Sequence, residues 1–456
     1  MDQRHPLPLF LREAQELQRL GAWRLCGQAL LTGLIAGGII GLFRRLYDII
    51  RLHASFWLQL YVADTPWAWA CILGGLALLA LVAHLLLRHE PLISGSGIPQ
   101  VELMAAGLLP PMRWRRVLWC KFVATLAALS AGLSVGREGP CIQMGACVGA
   151  GVGRLWHSPE EQYSRFLVGG SVAGLTAAFG APVAGLLFAF EEMRSPLGLP
   201  LLFFAALSAL GAWAALVLFF DFGPVFPFAV WKDAGLPQYG LALGMGLLCG
   251  VAGLLYNEVI IRLTLWQDSL TWLPPWLRSA FPFGLSALLL AAVPRLVGGV
   301  GIETLDLASP VLLGGGLGFL LLLLLGKTLH SGLSFASGVA GGLLMPMLLA
   351  GSLLGACVAS PLLAQGWLHA DEIPLLLVLG MGGMFAATVR APLTGAALVV
   401  EMARCPFSAP AVLLTALTAS LVAARLGGEP VYDSLKRRIL RRRAAQTPAS
   451  PRTNDI

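Results

Sequence analysis

Apolar runs repeatedly broken by glycine and proline are the feature that most constrains the fold of this chain. Of its 456 residues, 57% are hydrophobic and only 12% are charged, whereas a soluble domain carries about 25% charged residues. The sequence therefore predicts an all-α polytopic membrane protein. Many runs are shorter than the ~20 residues that span a bilayer, which predicts broken and re-entrant helices. One of the apolar runs covers 166–190.

The cysteines and histidines give no sign of a metal centre or a disulfide framework. The eight cysteines lie singly, mostly in apolar segments, and none forms a C-x-x-C motif. The seven histidines lack the spacings typical of zinc sites. We therefore interpret the cysteines as small core side chains and predict no cofactor.

The stretch Gly136-Arg137-Glu138-Gly139-Pro140 places two charges between glycines at the start of a predicted helix. Backbone N–H groups and the helix dipole favour an anion at such a place, and charges at membrane depth usually face a cavity or a partner. One interpretation is a helix N-terminus at which the Glu138 carboxylate and a bound anion compete. A tight turn capped by an Arg137–Glu138 pair is equally compatible with these residues.

The chain also repeats itself, with a shift that changes slightly along the alignment. A shift of 206 aligns Lys121 with Lys327, Gly136 with Gly342 and Pro140 with Pro346. A shift of 210 aligns Ala181-Pro182 with Ala391-Pro392 and Glu191 with Glu401. The register of prolines and charged residues indicates a true internal repeat, and the elements expected to face each other are Gly136–Pro140 and Gly342–Pro346.

The distribution of basic residues predicts the orientation. Arginines and a lysine crowd the tail after residue 435, whereas the central break at 221–238 has one lysine and no arginine. By the positive-inside rule both termini are cytoplasmic and the break is external, so the two halves have inverted topology, as in transporters with a site at the repeat interface. The net charge of +7 then requires no nucleic-acid partner.

The predicted organisation is a cytoplasmic N-terminal helix (1–26), membrane repeat 1 (27–220), an external linker (221–238), membrane repeat 2 (239–428) and a basic cytoplasmic tail (429–456).

Four elements occur in an order and spacing that resemble the CLC family of chloride channels and transporters: Gly95-Ser96-Gly97-Ile98-Pro99, Gly136–Pro140, Gly342–Pro346 and Tyr432. The similarity extends from about residue 30 to 435. It implies a CLC-like inverted-repeat homodimer in the lipid bilayer, with one anion pathway per subunit and chloride and protons as substrates. The compact size and the lack of targeting signals favour a bacterial inner membrane.

The resemblance also implies residue roles. The Ser96 and Tyr432 hydroxyls would coordinate the central anion together with the backbone N–H groups of Leu343 and Leu344. Glu138 matches the external gating glutamate, which occupies an anion site when ionised and swings away when protonated. Leu344 stands where the family usually has an aromatic residue, so the hydrophobic constriction beside the anion is expected to be looser.

Glu191 and Glu192 are adjacent carboxylates at the end of an apolar helix, and such neighbours diverge by about 100°. Glu191 repeats as Glu401, which favours a structural role, whereas the counterpart of Glu192 is Met402. A residue with no acidic equivalent in the other repeat suits a function that only one half carries out, such as proton transfer. By resemblance, Glu192 matches the family's internal proton-transfer glutamate. We therefore predict a chloride/proton antiporter, with a passive voltage- or pH-gated chloride channel as the alternative.

The roles of two further cations remain open between electrostatics and structure. Lys121 could add positive potential along the pathway or extend to the membrane interface, and Arg137 could add to the same field or form a structural salt bridge. An intramembrane enzyme is disfavoured, because the sequence has no metal-ligand cluster and no serine–base spacing.

Overall fold

A computed structural model describes residues 21–61, 66–194, 198–222, 225–226, 235–292 and 316–446. Within these residues the chain forms sixteen α-helices and no strand longer than an isolated bridge. Eight of the helices are long and apolar enough to cross a membrane. The prediction of an all-α polytopic membrane protein is confirmed.

The first half contains eight helices. They are α1 (Ala22–Tyr61), α2 (Pro66–His89), α3 (Ile98–Ala105), α4 (Trp114–Ser130), α5 (Glu138–Leu155), α6 (Tyr163–Phe179), α7 (Pro182–Glu191) and α8 (Leu199–Phe219). The described part of the second half contains seven, followed by a C-terminal helix. They are α9 (Leu236–Ser269), α10 (Pro275–Ala292), α11 (Gly316–Ala336), α12 (Leu344–Ala364), α13 (Ile373–Val389), α14 (Pro392–Ala403), α15 (Ala409–Arg425) and finally α16 (Val431–Gln446).

The helix boundaries follow the internal repeat. Helices α5 and α12 begin 206 residues apart, at Glu138 and Leu344. Helices α6 and α13 both begin and end 210 residues apart, and α7 and α14 begin 210 residues apart. The two halves therefore share one arrangement of helices, and the broken helices predicted from the short apolar runs are present.

Close glycine contacts hold the same helix pair together in each half. A Cβ atom on Gly145 of α5 would collide with the Gly170 backbone of α6, and one on Gly351 of α12 would collide with the Gly380 backbone of α13. Small residues permit this approach of two backbones, which membrane helices use for packing. The repeated glycines thus explain why α5–α6 and α12–α13 form equivalent pairs.

The apolar run 166–190 forms two helices. Helix α6 ends at Phe179, the following residue Gly180 has φ +70°, and Pro182 begins α7. Glycine accepts the left-handed conformation that ends a helix, and proline suits the first helical turn. In the second half Arg390 takes the left-handed position at φ +70°, and its guanidinium donates to the carbonyls of Ser420 and Gly428 at 2.5 and 3.1 Å.

Two predicted boundaries differ from those of the helices. Helix α1 begins at Ala22, so the first membrane helix starts before the predicted boundary at 27. Helix α9 begins at Leu236, inside the predicted linker 221–238, because Pro237 fits the first helical turn. Most of the predicted N-terminal helix (1–20), much of the linker and the last residues of the tail (447–456) lie outside the described residues.

Candidate functional site

The candidate site lies where the starts of equivalent helices from the two halves meet. The N–H of Gly136 donates to the Gly342 carbonyl at 2.7 Å, and the N–H of Gly342 donates to the Gly136 carbonyl at 2.6 Å. These glycines are the two that the shift of 206 aligns. Each half therefore presents the loop before its helix, α5 or α12, to its own counterpart, as expected from the sequence.

The loop that precedes α3 joins this junction. The N–H of Gly95 donates to the Val339 carbonyl at 3.1 Å, and the N–H of Gly341 donates to the Gly95 carbonyl at 3.1 Å. Ser96 follows directly, and a Cβ atom on Gly139 would lie 2.7 Å from the Ser96 carbonyl oxygen. Only glycine at position 139 permits this approach of α5 to the Ser96 loop.

Lys121 of α4 anchors the Ser96 loop. Its side chain is fully buried, and its Nζ donates to the carbonyls of Ile93 and Gly95 at 2.8 and 2.6 Å. The alternative in which Lys121 extends to the membrane interface is therefore wrong. Its ammonium group satisfies loop carbonyls that have no helical partner, so it positions the residues on either side of Ser94.

Glu138 is the first residue of α5, and its side chain is 0% exposed. Its Oε2 accepts the Met345 N–H at 3.4 Å, while its Oε1 has no hydrogen-bond partner among the described residues. N–H groups in the first turn of a helix have no acceptor within the helix and attract negative charge. The carboxylate thus lies at the start of α12, a place that also favours an anion.

Ser96 and Tyr432 supply two hydroxyl groups close to this carboxylate. Their side chains are 2% and 1% exposed, and neither hydroxyl has a hydrogen-bond partner among the described residues. Helix α16, in which Tyr432 is the second residue, packs against α3, which begins two residues after Ser96. Buried polar groups in native proteins are normally satisfied, so two unpaired hydroxyls near one another indicate a place for a polar ligand.

Leu343 and Leu344 lie at the start of α12 and are buried. Their N–H groups belong to the first turn, which has no intrahelical acceptors. The structure places Glu138 at the first turn of α12, which contains Leu344, and places Ser96 beside Gly139 of α5. The coordination of an anion by Ser96, Leu343, Leu344 and Tyr432 remains a prediction. Sequence reasoning did not identify Met345, whose N–H donates to Glu138. The contact depends on how the Glu138 side chain extends from α5 to α12, and no local sequence pattern predicts that.

Glu192 follows the last residue of α7 and is 4% exposed. Its carboxyl group lies beside that of Glu102 on α3, with Lys436 and Asp433 nearby. Lys436 Nζ is 2.5 Å from Glu102 Oε2 and 2.7 Å from Asp433 Oδ1. The Glu102 carboxyl group and the Asp433–Lys436 cluster of α16 therefore lie near Glu192, and only Glu192 was identified from the sequence.

Arg137 is the N-cap residue of α5, but its side chain makes no capping hydrogen bond to that helix. Its side chain is 4% exposed, and its Nε has no hydrogen-bond partner among the described residues. Neither the Arg137–Glu138 pair nor another Arg137 salt bridge forms within the part of the chain that the structure describes. The predicted contribution of Arg137 to the local field remains a prediction.

Comparison with known proteins gives consistent results across sequence and structure. The family model described as "Voltage gated chloride channel" (Voltage_CLC) matches residues 78–424. The chain is 35% identical over 432 residues to a Vibrio cholerae protein named H(+)/Cl(-) exchange transporter ClcA, covering 92% of this chain and 90% of the relative. A Vibrio parahaemolyticus protein of the same name is 34% identical, with 91% and 89% coverage.

Among solved structures, a slow cyanobacterial Cl−/H+ antiporter matches with a TM-score of 0.83 and 31% identity, covering 92% of this chain and 99% of that one. A CLC-type fluoride/proton antiporter matches with a TM-score of 0.74 at 19% identity, covering 91% and 98%, and shows the fold alone. The family match extends over most of the chain and includes the Ser96, Glu138 and Leu344 loops. This protein therefore belongs to the voltage gated chloride channel (CLC) family.

Proposed function

We propose that this protein exchanges chloride for protons across the membrane, with Glu138 as the external gate and Glu192 as the internal proton-transfer residue. One observation carries the proposal: the buried Glu138 carboxylate accepts the Met345 N–H at the start of α12, a helix N-terminus that favours an anion equally. Exchange of an anion for a proton requires anion donors and proton carriers in one place. The names of the Vibrio relatives support the same activity.

The anion site would consist of neutral donors. The hydroxyls of Ser96 and Tyr432 and the first-turn N–H groups of Leu343 and Leu344 can each donate to a chloride ion. Helix dipoles add favourable potential without a fixed full charge in the site. Such a site binds an anion strongly enough to select it and weakly enough to release it, as transport requires.

Glu138 would couple the anion to the proton. When ionised, its carboxylate accepts the Met345 N–H and occupies the start of α12, so a second negative charge is excluded by repulsion. When protonated, it loses most of its attraction to the helix terminus and can leave. An anion then enters the place that the carboxylate held, which makes each anion step depend on a proton.

Glu192 would bring protons to this region from the opposite side. Glu102 lies beside it, and the Lys436–Asp433 cluster on α16 lies beyond Glu102. Intramembrane carboxylates commonly form such proton relays. The absence of an acidic counterpart at Met402 is consistent with a single relay per subunit rather than one in each half.

The proposal also covers the oligomeric state, the membrane and the orientation of the protein. We propose a homodimer in a bacterial inner membrane, with both termini cytoplasmic, repeat 1 at 27–220, repeat 2 at 239–428 and an external connection between them. The positive-inside distribution supports the orientation, and similarity to Vibrio transporters over 92% of the chain supports the setting. Chloride and protons are the proposed substrates, with no cofactor.

The deciding experiment measures proton movement in proteoliposomes of the purified protein under a chloride gradient, with the membrane potential clamped near zero. Proton movement against its own gradient, driven by chloride, is the expected result. Chloride flux without proton movement would overturn the proposal and establish the passive channel. Liposomes without protein and the Glu138→Gln variant provide the controls, because neither should move protons under the chloride gradient.

A further inference from the structure

A cavity of about 850 Å³ lies between the C-terminal half of α9, the connection from α15 to α16, and α16 itself. Its volume falls in the range of ligand-binding cavities, which is about 300–1,000 Å³. The described residues that line it include none of Ser96, Glu138, Glu192 and Tyr432. The exchange mechanism proposed above therefore gives this cavity no role.

One wall of the cavity is apolar. Leu254, Leu255, Ile261 and Leu265 of α9 line it, and the side chains of Leu255 and Leu265 are 64% and 55% exposed. Helix α9 is one of those long and apolar enough to cross a membrane, and lipid tails are as apolar as leucine. From Leu254 to Asp268 the lining follows α9 for about 20 Å, which is long enough to accompany much of an acyl chain.

The other wall is positively charged. Its arginines all belong to α16 and are Arg437, Arg438, Arg441 and Arg442. Arg438 donates to both carboxylate oxygens of Asp268 on α9, at 2.8 and 2.7 Å. Arg442 forms an ion pair with the same carboxylate. One carboxylate thus serves two guanidinium groups and leaves one positive charge in excess.

The other two carboxylates in the lining are already neutralised. Glu429 pairs with Arg437, and Glu258 pairs with Arg262, which does not line the cavity. Arg441 is exposed and forms no ion pair or hydrogen bond with the described part of the chain. Because Asp268 is shared and Arg441 is unpaired, the cavity keeps a surplus of two positive charges.

Exposed tryptophans indicate the depth of the charged end. Trp266 lies two residues before Asp268 and is 48% exposed, and Trp272 and Trp276 in the following segment are 76% and 56% exposed. Tryptophan is enriched at the boundary between membrane and water. The charged end of the cavity therefore lies at the level of the lipid headgroups, and the leucines extend from there towards the bilayer interior.

We propose that this cavity binds one anionic phospholipid, with its phosphate at Arg441 and Arg442 and an acyl chain along Leu255 and Leu265. Arginine forms paired hydrogen bonds with phosphate oxygens, and basic pockets between membrane helices bind anionic headgroups. A chloride ion or a soluble phosphate would use the arginines but leave the apolar wall uncovered. The lipid would connect α9 with α16, the helix that also carries Tyr432, but its binding does not rest on the proposed exchange.

The test is native mass spectrometry of the full-length protein in detergent, titrated with phosphatidylglycerol or with phosphatidylcholine of the same chain length. Phosphatidylglycerol should bind at least about fivefold more tightly, because each basic residue near an anionic headgroup contributes about that factor. Arg441→Glu changes the charge by two and should weaken phosphatidylglycerol binding about thirtyfold. Arg443→Glu is the matched control, because Arg443 is exposed on the same helix but lies outside the cavity and donates to the Leu108 carbonyl.

Equal affinity for the two lipids would overturn the proposal, as would phosphatidylglycerol binding that Arg441→Glu leaves unchanged. Equal losses in Arg441→Glu and Arg443→Glu would also overturn it, because they would indicate general attraction to a basic helix. Glycerol 3-phosphate should not compete with the lipid at equal concentration; if it does, the ligand is a soluble phosphate and the apolar wall takes no part. Arg441→Met, with an expected loss of about fivefold, replaces Arg441→Glu if that variant fails to fold.

Discussion

Glu191 and Glu401 cap the start of each other's helix. The Glu191 carboxylate, at the end of α7, accepts N–H bonds of 3.0 and 2.6 Å from the second and third residues of α14. The Glu401 carboxylate, near the end of α14, accepts bonds of 3.1 and 2.8 Å from the second and third residues of α7. The exchange joins the two repeats at positions that are 210 residues apart and gives Glu191 the structural role that its repetition predicts.

This reciprocal cap predicts that Glu191→Ala and Glu401→Ala destabilise the protein by similar amounts. Each removes a charged acceptor from two first-turn N–H groups, which costs about 1–3 kcal/mol. Thermal unfolding in detergent measures the effect. The double variant should lose less than the sum if the two caps support one helix contact, and a fully additive loss would show that they act independently.

Much of the fold was accessible from the sequence because its signals are local or periodic. Pro182 and Pro392 begin equivalent helices, and the shift of 206 by itself pairs Gly136 with Gly342, the two glycines that exchange hydrogen bonds. The run 166–190 divides where Gly180 takes the left-handed conformation and Pro182 begins the next helix, which agrees with the broken helices predicted from glycine and proline.

The polar surroundings of the site were less accessible. Glu102 meets Lys436 although the two lie far apart in the chain, and no local pattern encodes that approach. Arg44 and Arg45 are adjacent and chemically identical, yet one is buried and the other exposed. Only the rotation of α1 against its neighbours distinguishes them, and that rotation is a property of tertiary packing.

Glu138→Gln should leave chloride transport that no longer depends on protons. The amide matches the protonated carboxyl group in shape and has no negative charge to occupy the start of α12. Chloride-driven proton movement should fall by about a hundredfold or more, the scale on which positioned proton-transfer groups act. Paired chloride and proton flux measurements check this, and proton coupling that persists in the variant would remove Glu138 from the gating role.

Glu192→Gln should abolish proton movement and spare chloride flux. The side chain keeps its size, so the contact with Glu102 remains while the proton carrier is lost. Glu191→Gln is the matched control, because the neighbouring carboxylate caps α14 and its loss should lower stability without uncoupling protons. Loss of both fluxes in Glu192→Gln would instead indicate a role in folding.

Lys121→Met should destabilise the protein and weaken anion transport. The change leaves the buried carbonyls of Ile93 and Gly95 without their donor, at a cost of about 2–4 kcal/mol. Arg115→Met on the same helix removes an equal charge from an exposed position and should have little effect. If Lys121→Met unfolds at the same temperature as wild type, the ammonium group does not hold the Ser96 loop.

Asp433 on α16 should make the free energy of unfolding depend on pH in the acidic range. Burial alone would raise the pKa of Asp433, but the hydrogen bond and charge of Lys436, together with the charge of Arg194, outweigh it and hold the pKa below its ordinary value. A carboxylate with a lowered folded pKa stabilises above its unfolded pKa of about 3.9. That contribution is lost as the pH falls through the lower, folded value.

Lys436 shows the opposite behaviour at the basic end. Burial would lower its pKa, but Glu102 and Asp433 outweigh burial and raise it. Its contribution is therefore present below the unfolded value of about 10.4 and is lost as the pH rises through the folded value. Between these limits both ion pairs are intact, so the wild-type protein should show little change in stability from this cluster near neutral pH.

Asp433→Asn should consequently lower the unfolding temperature at pH 7, by an amount that corresponds to about 1 kcal/mol for a partly exposed ion pair. The difference from wild type should shrink as the pH falls below about 4, because the Asp433 carboxylate of the unfolded wild type then takes up a proton and that of the folded protein follows at lower pH. Glu258→Gln is the control, since its pair with Arg262 is exposed and should contribute little at any pH. A deficit in Asp433→Asn that stays constant down to pH 3 would show that the Asp433 charge does not stabilise α16.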